Sequence, residues 1–174
     1  MPERKTANSS AVFFFHNYGM KNAAIESTFL AVENAAQAGA FGQNPMPLPT
    51  DAQCQAGNYK LGRVSLFGFN IAIEQPRHSY RTGMGADGKR WTNRMAAHYG
   101  YFAGTKGADG DGVDCFIGAF PQADEVFVIN QYVNGRFDEH KVCLCFVDEA
   151  MARRAYQDSY DRGWNGLKSI IPIS

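Results

Sequence analysis

Asn134-Gly135 stands between two runs of alternating apolar and polar residues, 125–133 and 136–146. Both residues accept positive φ, so the pair favours a type I′ turn, whose twist matches that of paired strands. An antiparallel hairpin follows, and a sheet becomes the framework of the chain. Period two then sorts the returning strand. Asp138 and His140 share a face with Val142 and Leu144, the face expected to look inward. Glu139 and Lys141 share the other face with Cys143 and Cys145.

Other elements are consistent with this frame. Residues 63–74 carry Phe67, Phe69, Ile71 and Ile73 in alternation, which predicts one half-buried strand ending at Glu74. Asp148 can cap a closing helix that reaches about residue 162 and stops at Gly163, with Tyr156 and Tyr160 one turn apart. Upstream, Ile25, Phe29, Val32 and Ala36 fall at helical spacing within 23–38, with Gly39 as a stop. Asn44-Pro45-Met46-Pro47-Leu48-Pro49 reads as a linker. Residues 1–57 are thus expected to form a partly helical N-terminal extension and 58–174 the principal domain. Strands first and a helix late predict an α+β, mainly β fold, either a small barrel or a sheet with a helix packed on it.

Charge limits the partners. Lys and Arg number 17, as do Asp and Glu, so no global positive field draws nucleic acid or anionic lipid, and neither is expected. The apolar block Ala11-Val12-Phe13-Phe14-Phe15 is too short to span a bilayer, and no signal cleavage pattern is evident. The four cysteines, Cys54, Cys115, Cys143 and Cys145, form no C-x-x-C pair. They read as free thiols of a cytoplasmic protein.

The densest chemical signal is Gly107-Ala108-Asp109-Gly110-Asp111-Gly112-Val113-Asp114. Three carboxylates so close are electrostatically unfavourable unless a hard cation joins them, and the glycines let the backbone turn so that they converge. A calcium loop of the EF-hand type would need a Glu where Phe120 stands. A merely solvated turn would not run straight into Cys115-Phe116-Ile117.

Read from Tyr99-Gly100-Tyr101 through Lys106 to Asp109-Gly110-Asp111-Gly112-Val113-Asp114, the segment resembles the signature of soluble family I inorganic pyrophosphatases. It resembles more specifically the pyrophosphatase-like domain of phage and prophage polyproteins. That domain's Ile-Glu strand, Gly-Lys-x-Trp turn and Phe-Asp-Glu-His-Lys strand appear here as Ile73-Glu74, Gly88-Lys89-Arg90-Trp91 and Phe137-Asp138-Glu139-His140-Lys141. The resemblance spans roughly residues 58–162 and leaves the N-terminal third outside.

The resemblance implies a small OB-like closed β-barrel with one or two packed helices, two or more Mg2+ ions, and pyrophosphate or a related phosphoanhydride as substrate. Glu74, Asp109, Asp111, Asp114 and Glu139 would hold the metals, and Asp111 would take the proton of the attacking water. Tyr99, Lys141 and Tyr160 would contact phosphate. Asp161 stands where the family has a lysine, which leaves Arg77, Arg81, Lys89 and Arg162 as substitutes. The extension would serve self-association or a phage protein partner. The alternative implied is a virion or interaction protein that kept the fold and lost the activity.

Overall fold

The computed structural model describes residues 9–85 and 87–173, with side chains from residue 21 onward. Helix α1 (Ser9–Ala38) ends immediately before Gly39, as its spacing predicted, but begins earlier. The aromatic run Phe13-Phe14-Phe15 lies within it, and its side chains lie outside the described ones. After the prolines, α2 (Asp51–Gln55) is closed by a capping box between Thr50 and Gln53.

The run 63–74 is not one strand. It is a hairpin, β1 (Gly62–Leu66) and β2 (Phe69–Gln75), turning at Phe67 and Gly68 with φ of 52° and 82°. Alternation continues across a two-residue turn, so the pattern alone could not reveal the reversal. Strands β3 (Tyr80–Met84) and β4 (Arg90–Arg94) pair in a separate small sheet. Then come β5 (His98–Phe102), β6 (Asp114–Ile117), β7 (Val126–Val133) and β8 (Arg136–Leu144). The β7–β8 hairpin turns at Asn134 and Gly135, with φ of 52° and 76°, as expected. Helix α3 (Glu149–Asp158) is capped by Asp148, whose carboxylate accepts from the Met151 N–H at 2.8 Å. It ends earlier than predicted, and an unforeseen strand, β9 (Leu167–Ile173), follows.

The main sheet has seven strands in the order β1-β2-β5-β6-β8-β7-β9, antiparallel except for the parallel β6–β8 pair. Closure into a barrel is not found among the described residues. β1 and β9 remain edges that no ladder joins. The sheet buries its two faces under helices instead. On one face Tyr99, Phe116, Phe127, Ile129 and Cys143 pack against Ala152, Ala155 and Tyr156 of α3. On the other, Ile71, Ile73, Cys115, Ile117 and Leu144 pack against Val32 and Ala36 of α1. At about 25 cal/mol per Å2 of apolar surface, each of the large side chains among them, such as Phe116, Phe127, Ile71 and Ile129, contributes about 1.5–3 kcal/mol of burial.

Parity on β8 holds from Glu139 to Cys143; before it, a bulge at Asp138 brings that residue to the Glu139 side instead of the His140 side where alternation put it. Cys145, at φ 62°, leaves the alternation and lies with Leu144 in the second cluster. His140 faces away from Lys141 as expected but is exposed rather than interior, resting on Phe137 with ring centroids 4.8 Å apart. No described helix is long and apolar enough to cross a membrane.

Candidate active site

The parallel β6–β8 ladder places Asp114 opposite Lys141. β5 lies on the other side of β6 and brings Tyr99 to the same junction. Lys141 Nζ donates to Asp114 Oδ2 at 2.6 Å, to Glu139 Oε1 at 2.7 Å and to Tyr99 Oη at 3.3 Å. The Tyr99 hydroxyl also donates to Asp114 Oδ2. Glu139 and Lys141, two residues apart, share a face as period two requires.

The Lys141 side chain is only 2% exposed. Burial opposes its charge, but Tyr99, Asp114 and Glu139 outweigh that and hold it protonated. One ammonium cannot neutralise two carboxylates. Burial, reinforced by Asp114 and opposed by Lys141, therefore pushes Glu139 up to about 7.

Downstream of Lys106 the chain tightens into a glycine-rich loop. Gly107 N–H donates to the Asp111 carbonyl at 2.6 Å, and Asp111 N–H donates to Asp109 Oδ1 at 3.1 Å. Gly110 sits at φ 96°, a conformation that favours glycine. A Cβ on Gly112 would fall 2.6 Å from the Tyr101 ring. Asp109 and Asp111 are consequently held at the mouth of a cleft of about 840 Å3, whose lining includes Glu74, Asp114, Glu139 and Lys141.

Glu74 reaches this cleft from the end of β2, where the Tyr59 hydroxyl lies 3.5 Å away. Burial raises its pKa, and Asp114 adds to the rise while Arg81 opposes it. Arg81 enters from β3, its guanidinium 4.6 Å from the Tyr99 ring centroid and 5.8 Å from that of Trp91. Burial disfavours its charge, yet Tyr99, Tyr160, Glu74 and Asp114 together hold it more firmly protonated than usual.

The family model for inorganic pyrophosphatase matches residues 51–174, from α2 to the end of the chain. The chain belongs to the inorganic pyrophosphatase family. No curated protein and no solved structure matches it. Pyrophosphatases of this family use Mg2+, and the five carboxylates lining the cleft are the hard oxygen donors that ion prefers. Among the described residues no three of them converge on one point, because Asp114 and Glu139 both turn to Lys141. The donor chemistry fits; the arrangement is that of a site whose internal cation is a lysine.

Of the cations proposed to replace the missing family lysine, only Arg81 lines the cleft. Arg77 pairs with Glu33 of α1 at 2.9 Å and borders a separate cavity of about 550 Å3 beside α3. Lys89 lies 3.4 Å from Asp87 on the exposed tip of the β3–β4 hairpin. Arg162 lines a depression next to Trp164. Tyr160 does reach the cleft, and its hydroxyl donates to Gln131 Oε1 at 3.1 Å. Sequence reasoning passed over Lys106, Tyr59 and Gln131, all of which line the cleft. A signal for Gln131 was present: it continues the inward row Phe127, Ile129, where a polar residue breaks an apolar period-two pattern.

Proposed function

We propose that this pyrophosphatase-family chain hydrolyses pyrophosphate to two phosphates with Mg2+. The observation that carries the reading is a charge imbalance. Glu74, Asp109, Asp111, Asp114 and Glu139 face Arg81, Lys106 and Lys141, so the fully ionised cleft has two more negative than positive charges. A polyanion does not enter such a cleft unless cations come with it. Glu74, Asp109, Asp111, Asp114 and Glu139 would hold the magnesium, which supplies a water of lowered pKa and neutralises phosphate oxygens.

The chain's own groups do the rest. The water oxygen attacks one phosphorus, the bridging P–O bond breaks, and Asp111 at the cleft mouth accepts the water's proton. Arg81, pinned over Tyr99, presents its planar fork to phosphate oxygens, and Lys141 offers a point charge. Tyr99 and Tyr160 are both kept protonated by burial, and since their single protons are given to Asp114 and Gln131, each donates to phosphate only by releasing that partner. Positioning and electrostatics of this kind are what phosphoryl transfer demands.

The size of the cleft favours a second reading on the same chemistry, a longer phosphoanhydride such as a nucleoside triphosphate. Phosphate release from pyrophosphate and from nucleoside triphosphates, with magnesium present or chelated, tests both. Magnesium-dependent release from pyrophosphate is expected. Release from triphosphates alone would replace the substrate, and no release from either would refute the proposed activity.

A further inference from the structure

Gln131 is a buried amide with every hydrogen-bonding position used. Its side-chain Nε2 donates to Asp138 Oδ2 at 2.8 Å and to Glu139 Oε1 at 3.1 Å. Its Oε1 accepts from the Tyr156 hydroxyl at 2.7 Å and from the Tyr160 hydroxyl at 3.1 Å. Carboxylates only accept when ionised, so the orientation of the amide is set by its partners. Tyr156 is itself held by Trp164 Nε1 at 2.8 Å.

The backbone is shaped for this fork. Between β7 and β8 the register passes from Gln131↔Glu139 to Tyr132↔Phe137, which leaves Asp138 as an extra residue in a bulge. Two consecutive acids thereby reach one amide. No other side chain serves equally well. Leucine would strand two hydroxyls and leave Glu139 to Lys141 alone, and lysine cannot accept from the tyrosines. Glutamate would add a third negative charge, and asparagine is one methylene short. At 4% exposure an unpaired amide here would be costly, and two of its four partners, Glu139 and Tyr160, line the cleft.

We propose that Gln131 is a positioning residue for the reaction. It fixes the Glu139 carboxylate for metal binding and, through the same amide, ties the Tyr160 side chain of the cleft wall to it. This rests on the assignment of Glu139 as a magnesium ligand. Groups that orient metal ligands typically change metal affinity by about 10- to 100-fold when removed.

The test is calorimetric titration of Mg2+ into the metal-free full chain, without substrate, for the wild type and Gln131→Met. Because the single variant strands the Tyr156 hydroxyl, the double variant Gln131→Met/Tyr156→Phe is measured beside it. A magnesium Kd weakened by about tenfold or more in a folded variant is expected. A Kd within about twofold of wild type overturns the proposal, since no ligand would then depend on the amide. Failure of both variants to fold would assign Gln131 to the fold alone and overturn it too. A wild type that neither binds magnesium nor hydrolyses pyrophosphate would refute the parent reading, and this one with it. A competent wild type with unchanged variants refutes only the role of Gln131.

Discussion

Replacing Lys141 by methionine should damage stability and activity together, whereas His140→Ala should leave both almost intact. The Lys141 ammonium lies 2.6 Å from Asp114 and 2.7 Å from Glu139, and those carboxylates are themselves only 17% and 15% exposed. Removing one partner of a buried pair leaves uncompensated charge and costs about 3–5 kcal/mol. The lower end, about 3 kcal/mol, applies because Glu139, already pushed up to about 7, takes a proton readily. For activity, loss of a preorganised charge at the phosphate costs about 2–4 kcal/mol, or about 30- to 1,000-fold in kcat/KM. His140 is exposed on the opposite face, so its truncation should stay within about 0.5 kcal/mol. Urea unfolding and steady-state phosphate release for both variants check this. A loss below about 1 kcal/mol for Lys141→Met, or an equal loss for His140→Ala, would refute the reasoning from burial and parity.

Asp111→Asn conserves volume in an exposed loop, and it should lower turnover by about 100-fold or more while the melting temperature measured without metal stays near the wild-type value. Retention of a tenth of the activity would remove Asp111 from the proton transfer. A further expectation concerns pH. His98 is buried, its Nδ1 accepts from Arg77 N–H at 3.0 Å, and its Nε2 faces Glu33 Oε1 at 3.1 Å. Burial lowers its pKa, helped by Arg77 and His78 and opposed by Glu33. The unfolded chain then takes up the proton first, so the His98 contribution is complete above about pH 6.5 and is lost as the pH falls. The raised Glu139 acts in the opposite sense, contributing at low pH and losing its contribution as pH rises through about 7. Comparing His98→Gln with the wild type isolates the first effect. The wild type should lose stability relative to the variant as the pH falls below about 6.5, and parallel profiles would refute the assignment.

Local turn chemistry made part of the fold legible. Asn134-Gly135 and the stop at Gly39 carry their signals in the residues themselves, and both elements ended where expected. Phe67-Gly68 carries only half a signal, because glycine favours positive φ and phenylalanine, here at φ 52°, does not. β9 was invisible for a similar reason. Its run Leu167-Lys168-Ser169-Ile170-Ile171 lacks clean alternation and is followed, before the last residue, by Pro172, which is tolerated only because the strand lies on the edge of the sheet. Edge position is a property of the assembled sheet and cannot be read along the chain. The interior placement of His140 failed on the same point: parity gives a face, but whether that face is covered depends on how far α1 reaches.

The cleft divides along the same line. Asp109, Asp111 and Asp114, close in sequence, line one cleft because the glycine loop and the β6–β8 ladder hold them beside it, but among the described residues no three carboxylates converge. The cations came from elsewhere, and composition offered four candidates without ranking them. Only the β3–β4 hairpin geometry selects Arg81, by laying its guanidinium between Trp91 and Tyr99, while Arg77 is drawn off by Glu33 from a helix far away in sequence. Arg81 makes no ion pair among the described residues, unlike Arg77, Lys89 and Lys141. A cation held on aromatic faces instead of on a carboxylate keeps its hydrogen-bond donors free for a phosphate. The family lysine absent at Asp161 thus has a functional counterpart in the proposed mechanism, supplied by a different element and approaching the cleft from β3.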